Sequence, residues 1–218
     1  DDAHSAMGDV LATVEIAKLL DKKAPNVWKA SLMTTNKDKS FELIKNEQLF
    51  CTAFFYYGKS IPFVLTFVCQ YPQWGYPMCF DLKADPNHYF NLSIQQLKKE
   101  LDKKPKVLRT IKHKKHPIIM NPSYGVNFDN YKQLGIQKLK DRAKLIRENK
   151  EFAQKVSTIL NDDATERQEF ESQLDIYPEE SIYKKFSLPG DNKIMPEFHK
   201  VEWKDKFSVL QKFKDSRM

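Results

Sequence analysis

The first hydrophobic pattern in the chain has the period of an amphipathic helix, because apolar residues recur at spacings of three and four positions. The series consists of Met7, Val10, Leu11, Val14, Ala17 and Leu20. It predicts a helix from Met7 to Leu20, for which Asp2 or Ser5 can provide the N-terminal cap. The apolar face of this helix requires another surface to pack against. Two shorter helices are predicted next, at Asn26–Met33 and Lys37–Ile44.

The pattern then changes to runs of β-branched and aromatic residues separated by turn signals, which is typical of strands. The predicted strands are Leu49–Tyr57, Phe63–Gln70, Met78–Leu82, Lys106–Ile111 and Pro117–Met120. A turn at residues 58–60 joins the first two strands, so they are expected to form an antiparallel hairpin. A helix is predicted at Asn91–Leu101, with Ser93 as its cap. This region therefore predicts a small antiparallel sheet or barrel with inserted helices.

From Asp129 onward the period of the apolar residues is again helical. The predicted helices are Lys138–Asn149, Glu151–Leu160, Thr165–Leu174, Glu179–Phe186 and Trp203–Phe213. The pair Asp162-Asp163 marks a predicted boundary within this series, and Pro178 and Pro189-Gly190 separate the last helices. The chain is therefore predicted to have an α+β fold.

The composition limits the function classes. The 218 residues carry a formal net charge of +7 and have a pI of about 9.1, which favours nucleic acid or acidic protein tails as partners. Neither a GxxxxGKS/T nor a GxGxxG motif occurs, so no phosphate-binding glycine loop is indicated. The three cysteines lack a CxxC spacing, as expected for reduced residues of a cytoplasmic protein. No apolar run is long enough to span a membrane.

The motif with the most specific chemistry is a His and an Asp five positions apart, His4 and Asp9. Both residues are predicted to lie at the first turns of the same helix. A carboxylate is a hard oxygen ligand suited to Mg²⁺. An imidazole titrates near neutral pH and can accept the proton of an attacking water. A surface His and a solvated Asp would have the same spacing by chance, so the motif alone leaves both interpretations open.

A second feature is a dense run of cations, here called the lysine tract. Its members are Lys98, Lys99, Lys103, Lys104, Lys106, Arg109, Lys112, Lys114 and Lys115. Only Glu100 and Asp102 oppose this charge. The tract could follow the phosphates of a nucleic acid. It could equally be a charged helix and an edge strand whose lysines prevent strand pairing, and no aromatic residues are interleaved to stack bases.

A third cluster of charge lies on one face of a predicted helix, where Lys140, Lys144 and Arg147 follow at helical spacing. Asp141 and Glu148 could pair with these cations, which would make the face an ordinary salt-bridged surface. Alternatively the face could bind an acidic peptide, because an Arg guanidinium can hold a carboxylate through two hydrogen bonds.

The aromatic residues of the hairpin are interpreted mainly as the core of the sheet. They are Phe54, Phe55, Tyr56, Tyr57, Phe63 and Phe67. The loop that follows contains Tyr71, Trp74 and Tyr76. These rings could stack on bases, but hydrophobic anchoring of the loop is the preferred interpretation.

The segment from Ala3 to Thr13 resembles the third motif of the DEDDh exonucleases, in the A-H-x-A-x-x-D-V-x-A-T form of the exonuclease I family. Further stretches fit that family in the same order. They are Asn36-Lys37, Asp81-Leu82, Lys115-His116-Pro117, Leu134-Gly135-Ile136 and Leu145-Ile146-Arg147-Glu148-Asn149. The similarity runs over essentially the whole chain.

This resemblance implies a monomeric fragment with three parts. Residues 1–24 would be the last helix of an RNase H-like exonuclease domain, 25–161 an SH3-like domain with helices, and 162–218 the start of a helical domain. Asp9 would be the fourth acidic metal ligand and His4 the general base. The family's D-x-E pair and middle Asp would precede residue 1, so two Mg²⁺ ions could not be held by this chain alone.

The resemblance also assigns binding roles, and by it single-stranded DNA would contact Asn36 and Lys37. The density of cations with little opposing charge adds Lys103, Lys104, Lys106, Lys112, Lys114 and Lys115 as predicted DNA contacts. The C-terminal tail of single-stranded-DNA-binding protein would dock at Asn121, Lys144 and Arg147.

We therefore expect a fragment of a processive 3′→5′ single-stranded-DNA exonuclease that releases 5′-mononucleotides and is inactive by itself. The main alternative is a non-catalytic basic module that binds single-stranded nucleic acid or an acidic tail. A further alternative is a DEDDh nuclease that acts on RNA, because the contacts that read a 2′-hydroxyl are not identified by these residues.

Overall fold

The computed structural model describes residues 5–173, Tyr177 and residues 186–215. His4 and all but the last residue of the predicted helix Glu179–Phe186 lie outside these residues. The chain divides into two compact units, Asp1–Glu166 and Arg167–Met218. The domain limits expected from the sequence, at 24/25 and 161/162, stay predictions.

The first five helices of the described residues are α1 (Ala6–Lys23), α2 (Pro25–Met33), α3 (Lys37–Asn46), α4 (Asn87–Phe90) and α5 (Ile94–Asp102). Side chains cap the start of α1, α3 and α5, whereas α2 and α4 begin without a side-chain cap. The Ser5 hydroxyl accepts a 3.0 Å hydrogen bond from the Gly8 amide at the start of α1. At the start of α5, Ser93 and Gln96 form a reciprocal capping box. Both serine caps were predicted from the sequence.

The sheet is antiparallel and has the order β1-β2-β3-β4. Its strands are β1 (Phe50–Tyr56), β2 (Lys59–Gln70), β3 (Pro77–Asp81) and β4 (Leu108–Thr110). Tyr57 and Gly58 form the hairpin turn, where both have positive φ, of 47° and 78°. The small antiparallel sheet with helices predicted from the sequence is confirmed.

The sheet is open instead of being closed into the predicted barrel. The segment Pro117–Met120, which was predicted as a strand, contributes only a bridge at its last residue. There the Cys51 amide donates to the Met120 carbonyl at 2.9 Å, and the Met120 amide donates to the Cys51 carbonyl at 2.8 Å. This bridge lies on the edge of β1 that β2 does not occupy, and among the described strands β4 pairs with β3 alone.

The two faces of the sheet support two clusters of buried side chains. One cluster includes Phe80, Leu97 and Phe152, and the other includes Ile44, Phe50 and Leu65. The helices after the tract are α6 (Ser123–Val126), α7 (Asp129–Lys132), α8 (Gly135–Glu148) and α9 (Lys150–Gln173). Gly125 of α6 lies against the sheet, because a Cβ there would be 2.4 Å from Val64 Cγ2.

The prediction of two separate helices at Glu151–Leu160 and Thr165–Leu174 was wrong. The single helix α9 continues through Asp162 and Asp163. The Asp163 carboxylate forms an ion pair with Lys98 of α5, with 2.8 Å between the two charged atoms. This pairing across two helices is a tertiary contact that a sequence pattern does not predict.

The second unit contains α10 (Pro189–Lys200), a 3₁₀ turn at Trp203–Asp205 and α11 (Lys206–Leu210). The sequence missed α10, since its Pro189-Gly190 was interpreted as a separator although proline is favoured in the first helical turn. The buried carboxylate of Asp191 accepts from the amides of Lys214 and Asp215 at 3.0 and 2.9 Å. No helix in the described part of the chain is long and apolar enough to cross a membrane.

Candidate catalytic and binding sites

Asp9 lies in the first turn of α1 and its side chain is exposed. The Thr13 hydroxyl donates a 2.8 Å hydrogen bond to the Asp9 backbone carbonyl, and the exposed carboxylate forms no ion pair with the described residues. The predicted general base, His4, lies outside the described residues. The structure therefore places one residue of the His4–Asp9 motif.

The described residues do not fit a magnesium site by themselves. Within 5–173, 177 and 186–215 there is no group of three or more His, Cys, Asp and Glu side chains that could hold a metal ion. A single exposed carboxylate such as Asp9 does not retain Mg²⁺, which needs several oxygen ligands in octahedral geometry.

Helix α1 has no buried residue over its whole length. Its apolar side chains are exposed to solvent. They include Met7 at 68% exposure, Leu11 at 58% and Ile16 at 58%. The packing surface that the sequence requires for this face is therefore not supplied by the described residues, and such an apolar surface is typical of an interaction site.

Asn36 and Lys37 lie at the start of α3. The Asn36 side-chain oxygen accepts from the amides of Asp38 and Lys39 at 2.9 and 3.1 Å, so Asn36 is the N-cap of the helix. The Lys37 side chain is exposed at the first helical position. Asn36 retains its amide donors for other contacts, because capping uses only the oxygen.

The lysine tract separates into two groups by its ion pairs. Lys103 pairs with Glu100, and Lys106 pairs with Asp102 at 2.8 Å, both on α5. The residues Lys104, Lys112, Lys114 and Lys115 are exposed and form no ion pair with the described residues. Lys98 is also paired, with Asp163 and Glu166, whereas Lys99 is exposed without an ion pair to the described residues, so the positive charge that remains available to a polyanion is that of Lys99 and the second group.

The His113 ring lies inside the tract but does not add to its charge. The ring is buried against Phe41 and Tyr76, with ring centroids 5.3 and 5.6 Å away. Burial, followed by the neighbouring charge of Lys114, lowers the pKa of His113 below 6.5. The lowered pKa favours the neutral imidazole.

Arg147 is at the C-terminal end of α8. Its guanidinium donates to the Lys45 carbonyl at 2.8 Å and to the Glu47 carbonyl at 3.2 Å, which ties α8 to the last turn of α3. Pairing of Arg147 with Asp141 or Glu148, the alternative left open by the sequence, is not observed. The guanidinium has five donors, and these bonds use two of them.

Arg147 lines a pocket of about 330 Å³ with a cationic rim and an apolar floor. Lys45 and Lys150 supply the other cations, and Phe67 and Val68 form part of the floor. Lys144 and Asn121, which were predicted to bind the same acidic peptide, do not line this pocket. Lys144 points along α8 toward Glu148 at 3.9 Å, and the Asn121 oxygen accepts from the Ser123 amide at 3.0 Å.

The interpretation of the hairpin aromatics as core was wrong for three residues. Phe55, Tyr56 and Tyr57 are exposed by 74%, 38% and 102%, whereas Phe63 is buried. A sequence signal for this existed, because these residues adjoin the turn at 58–60 and connecting segments lie at the protein surface. In the following loop, Tyr71 is buried and stacks on Trp74 with centroids 4.8 Å apart, in agreement with the predicted anchoring.

Comparison with known proteins shows that the fold of this chain is similar to that of solved exonuclease I structures. No family model matches the sequence, and no curated protein matches it either. Exonuclease I from Methylocaldum szegediense is similar with a TM-score of 0.64 and 17% identity, over 99% of this chain and 46% of that chain. Exonuclease I of E. coli in complex with a dA16 oligonucleotide has a TM-score of 0.64 and 20% identity, over 99% of this chain and 48% of that chain.

A third solved structure, of SSB/exonuclease I in complex with the inhibitor CFAM, has a TM-score of 0.60 and 20% identity, over 98% of this chain and 46% of that chain. The chain thus spans about half the length of these exonuclease I structures. The resemblance predicted from the sequence is confirmed at the level of structure. At 17–20% identity, the likeness establishes that this chain has the fold of about half of exonuclease I.

Proposed function

We propose that the chain is part of a processive 3′→5′ single-stranded-DNA exonuclease that releases 5′-mononucleotides by two-metal hydrolysis. The observation that carries the proposal is the similarity of nearly the whole chain to exonuclease I, together with a motif of that family at Asp9. In this proposal, residues 1–24 end the exonuclease domain, 25–161 are the SH3-like domain, and 162–218 begin the helical domain.

Asp9 is proposed as one of several acidic metal ligands and His4 as the base that accepts the proton of the attacking water. Magnesium ions, when bound, would supply charge stabilisation at the scissile phosphate. The remaining ligands would belong to the part of the exonuclease I fold that this chain does not span. The chain alone is therefore proposed to be inactive. The exposed apolar face of α1 supports this division, since it offers a surface for the rest of that domain.

DNA contact is assigned to Asn36, Lys37 and the lysines predicted from the sequence. The ion pairs divide those lysines. Lys104, Lys112, Lys114 and Lys115 carry charge that is not compensated by the described residues, so we assign most of the phosphate binding to them. Lys103 and Lys106 would have to leave their partners on α5, which makes them weaker contributors.

The pocket beside Arg147 is proposed to bind the acidic, apolar-ended tail of single-stranded-DNA-binding protein. Three cations on its rim match acidic side chains and a terminal carboxylate, and Phe67 and Val68 match an apolar last residue. The free donors of Arg147 make it the residue that holds the carboxylate. Lys144 and Asn121 would contribute only at the periphery of this site.

The salt dependence of DNA binding tests the assignment of the lysines. Affinity of the 218-residue chain for a dT oligonucleotide is measured by fluorescence anisotropy across a salt series. We expect a variant with Lys112, Lys114 and Lys115→Gln to lose about 0.7 of salt slope for each contact removed. The matched control replaces Lys132, Lys138 and Lys140 by Gln, which removes the same charge elsewhere on the surface.

An unchanged slope in the tract variant would contradict the role of these lysines. The alternative function, a non-catalytic basic module, makes the same prediction for DNA binding. It differs in the catalytic prediction given in the Discussion, since a module has no use for the Asp9 carboxylate.

A further inference from the structure

The end of the β1–β2 hairpin brings aromatic rings and cations together on one face of the sheet. Residues that oppose each other across antiparallel strands lie on the same face. Tyr56 opposes Lys59, and two positions along β1, Phe54 opposes Ile61. Tyr56 and Lys59 are both exposed, so this face is open to solvent at the hairpin end.

The rings on this face are ordered by one another and by an arginine. The Phe54 and Tyr56 rings are nearly parallel, 15° apart in plane with centroids separated by 6.1 Å. Phe63 packs edge-on against Phe54 at 5.4 Å. The Arg109 guanidinium from β4 lies 4.2 Å from the Phe63 ring centre and donates a 3.3 Å hydrogen bond to the Tyr56 hydroxyl. The contacts with Phe54 and Arg109 therefore fix the orientation of the exposed Tyr56 ring.

We propose that this face is a stacking surface for the bases of single-stranded DNA, with Tyr56 as the ring that the base contacts. The inference rests on the proposed function and adds to it a contact that reads bases, whereas the lysines contact phosphates. Stacking on aromatic rings beside a positively charged path is the common way in which proteins hold single strands without sequence preference.

The charges on this face favour a strand of nucleic acid over an apolar protein surface. Lys59 is beside Tyr56, and Arg109 is beneath it. Among the described residues, no carboxylate forms an ion pair with either cation. An apolar partner would bury the Lys59 charge without compensation, which is unfavourable. A DNA strand provides a base for the ring and phosphates for the cations.

The position of Arg109 joins this face to the lysine tract. Arg109 lies in β4 (Leu108–Thr110), and Lys112, Lys114 and Lys115 follow within six residues. The strand register directs β4 from Arg109 away from the hairpin end, so a single strand that contacts both these lysines and the Tyr56 ring would extend along the length of β4. The sequence alone did not show this interleaving of rings and cations, because the tyrosine and the arginine are 53 positions apart.

The test compares a dT oligonucleotide with a strand of the same length that is abasic at its central positions. Both strands carry the same phosphate charge, so only base contacts differ. We expect Tyr56→Ala to weaken binding of the dT strand about 5- to 100-fold, the range for loss of one stacked base. Binding of the abasic strand is expected to stay unchanged. Tyr56→Phe, which retains the ring, should bind dT with nearly the affinity of the unmodified chain.

Phe55→Ala is the matched control, since Phe55 is adjacent, more exposed and on the opposite face of β1. Tyr56→Leu provides a second variant that retains apolar contact with Phe54 but has no aromatic face, and it should lose dT affinity like Tyr56→Ala. Equal dT affinities for Tyr56→Ala, Tyr56→Leu and Phe55→Ala, with the salt slope intact, would overturn the stacking surface alone. If the unmodified chain bound neither strand, the proposed DNA binding would fail as well.

Discussion

The hydroxyl group of Tyr131 donates a 2.7 Å hydrogen bond to the carboxylate of Asp81, and both residues are buried. Asp81 ends β3, and Tyr131 is in α7, so this bond joins the sheet to the helices that follow the lysine tract. The same carboxylate also accepts from the Lys83 amide at 3.0 Å. A buried charge at this position is thus held by two donors from different parts of the chain.

The free energy of unfolding should depend on pH through the titration of the Asp81 carboxylate. Burial raises the pKa of Asp81 above 3.8, although the bonds from Tyr131 and Lys83 act in the opposite direction. The folded state therefore binds the proton more tightly than the unfolded state. Its contribution to stability is complete below the unfolded pKa and is lost as pH rises through the folded pKa. The loss amounts to about 1.4 kcal/mol for each unit of pKa shift.

The Asp81→Asn variant has no titrating group at this position. Its free energy of unfolding should therefore lack the decrease that the unmodified chain shows as pH rises through the folded pKa of Asp81. Urea unfolding at a series of pH values from about 3 to 7 measures the difference between the two proteins. Asp162→Asn, at an exposed position of α9, is the control and should follow the unmodified chain. Parallel pH profiles for the unmodified chain and Asp81→Asn would show that Asp81 is not perturbed.

Gly125 should not tolerate a larger residue. A Cβ at this position would lie 2.4 Å from Val64 Cγ2 and 3.1 Å from Cys51 Sγ, both in the sheet. We expect Gly125→Ala to destabilise the fold by about 1–3 kcal/mol, as overpacking does in other cores. Gly190→Ala is the control, because nothing lies within 4 Å of its Cβ position. Equal unfolding midpoints for the two variants would indicate that α6 can move away from the sheet.

Arg147 should determine the affinity for an acidic C-terminal peptide. Arg147→Ala is expected to weaken binding about 10- to 100-fold, since a charge-assisted pair with the terminal carboxylate is lost. The variant also loses the bonds to Lys45 and Glu47, so Lys150→Ala, which changes the pocket rim alone, is measured beside it. Lys144→Ala, outside the pocket, should have little effect.

Titration with the same peptide carrying a C-terminal amide separates the two roles of Arg147. Amidation should weaken binding to the unmodified chain and have little further effect on Arg147→Ala. If amidation weakened both proteins equally, Arg147 would not be the residue that holds the carboxylate.

The catalytic proposal predicts that the 218-residue chain alone releases no nucleotides from a 3′-labelled single strand with Mg²⁺ or Mn²⁺. Within a complete exonuclease, Asp9→Ala should abolish turnover, and His4→Ala should reduce it about 10²- to 10⁴-fold, as for loss of a general base. Asp21→Ala, exposed on the same helix, is the control. Robust metal-dependent release by the chain alone, or full activity of Asp9→Ala, would contradict the proposal.

Much of the local structure was predictable because its causes are local. The caps at Ser5 and Ser93 and the β1–β2 hairpin follow from residues close together in the sequence. The ion pairs of Lys103 and Lys106 are also local, at i,i+3 and i,i+4 spacing from acids on α5. The sequence contained these pairs, although the tract as a whole was treated as one surface.

What the sequence determined by itself were the short-range features: helix periods, caps, the hairpin and the family motif at Asp9. The tertiary structure decided which side chains remain available. Arg147 binds carbonyls of residues about 100 positions away, Lys98 supports α9 at Asp163, and Tyr56 lies above Arg109. These contacts depend on how the helices and strands pack against one another. A pattern of neighbouring residues contains no information on which distant groups will share a surface, so only the folded chain reveals them.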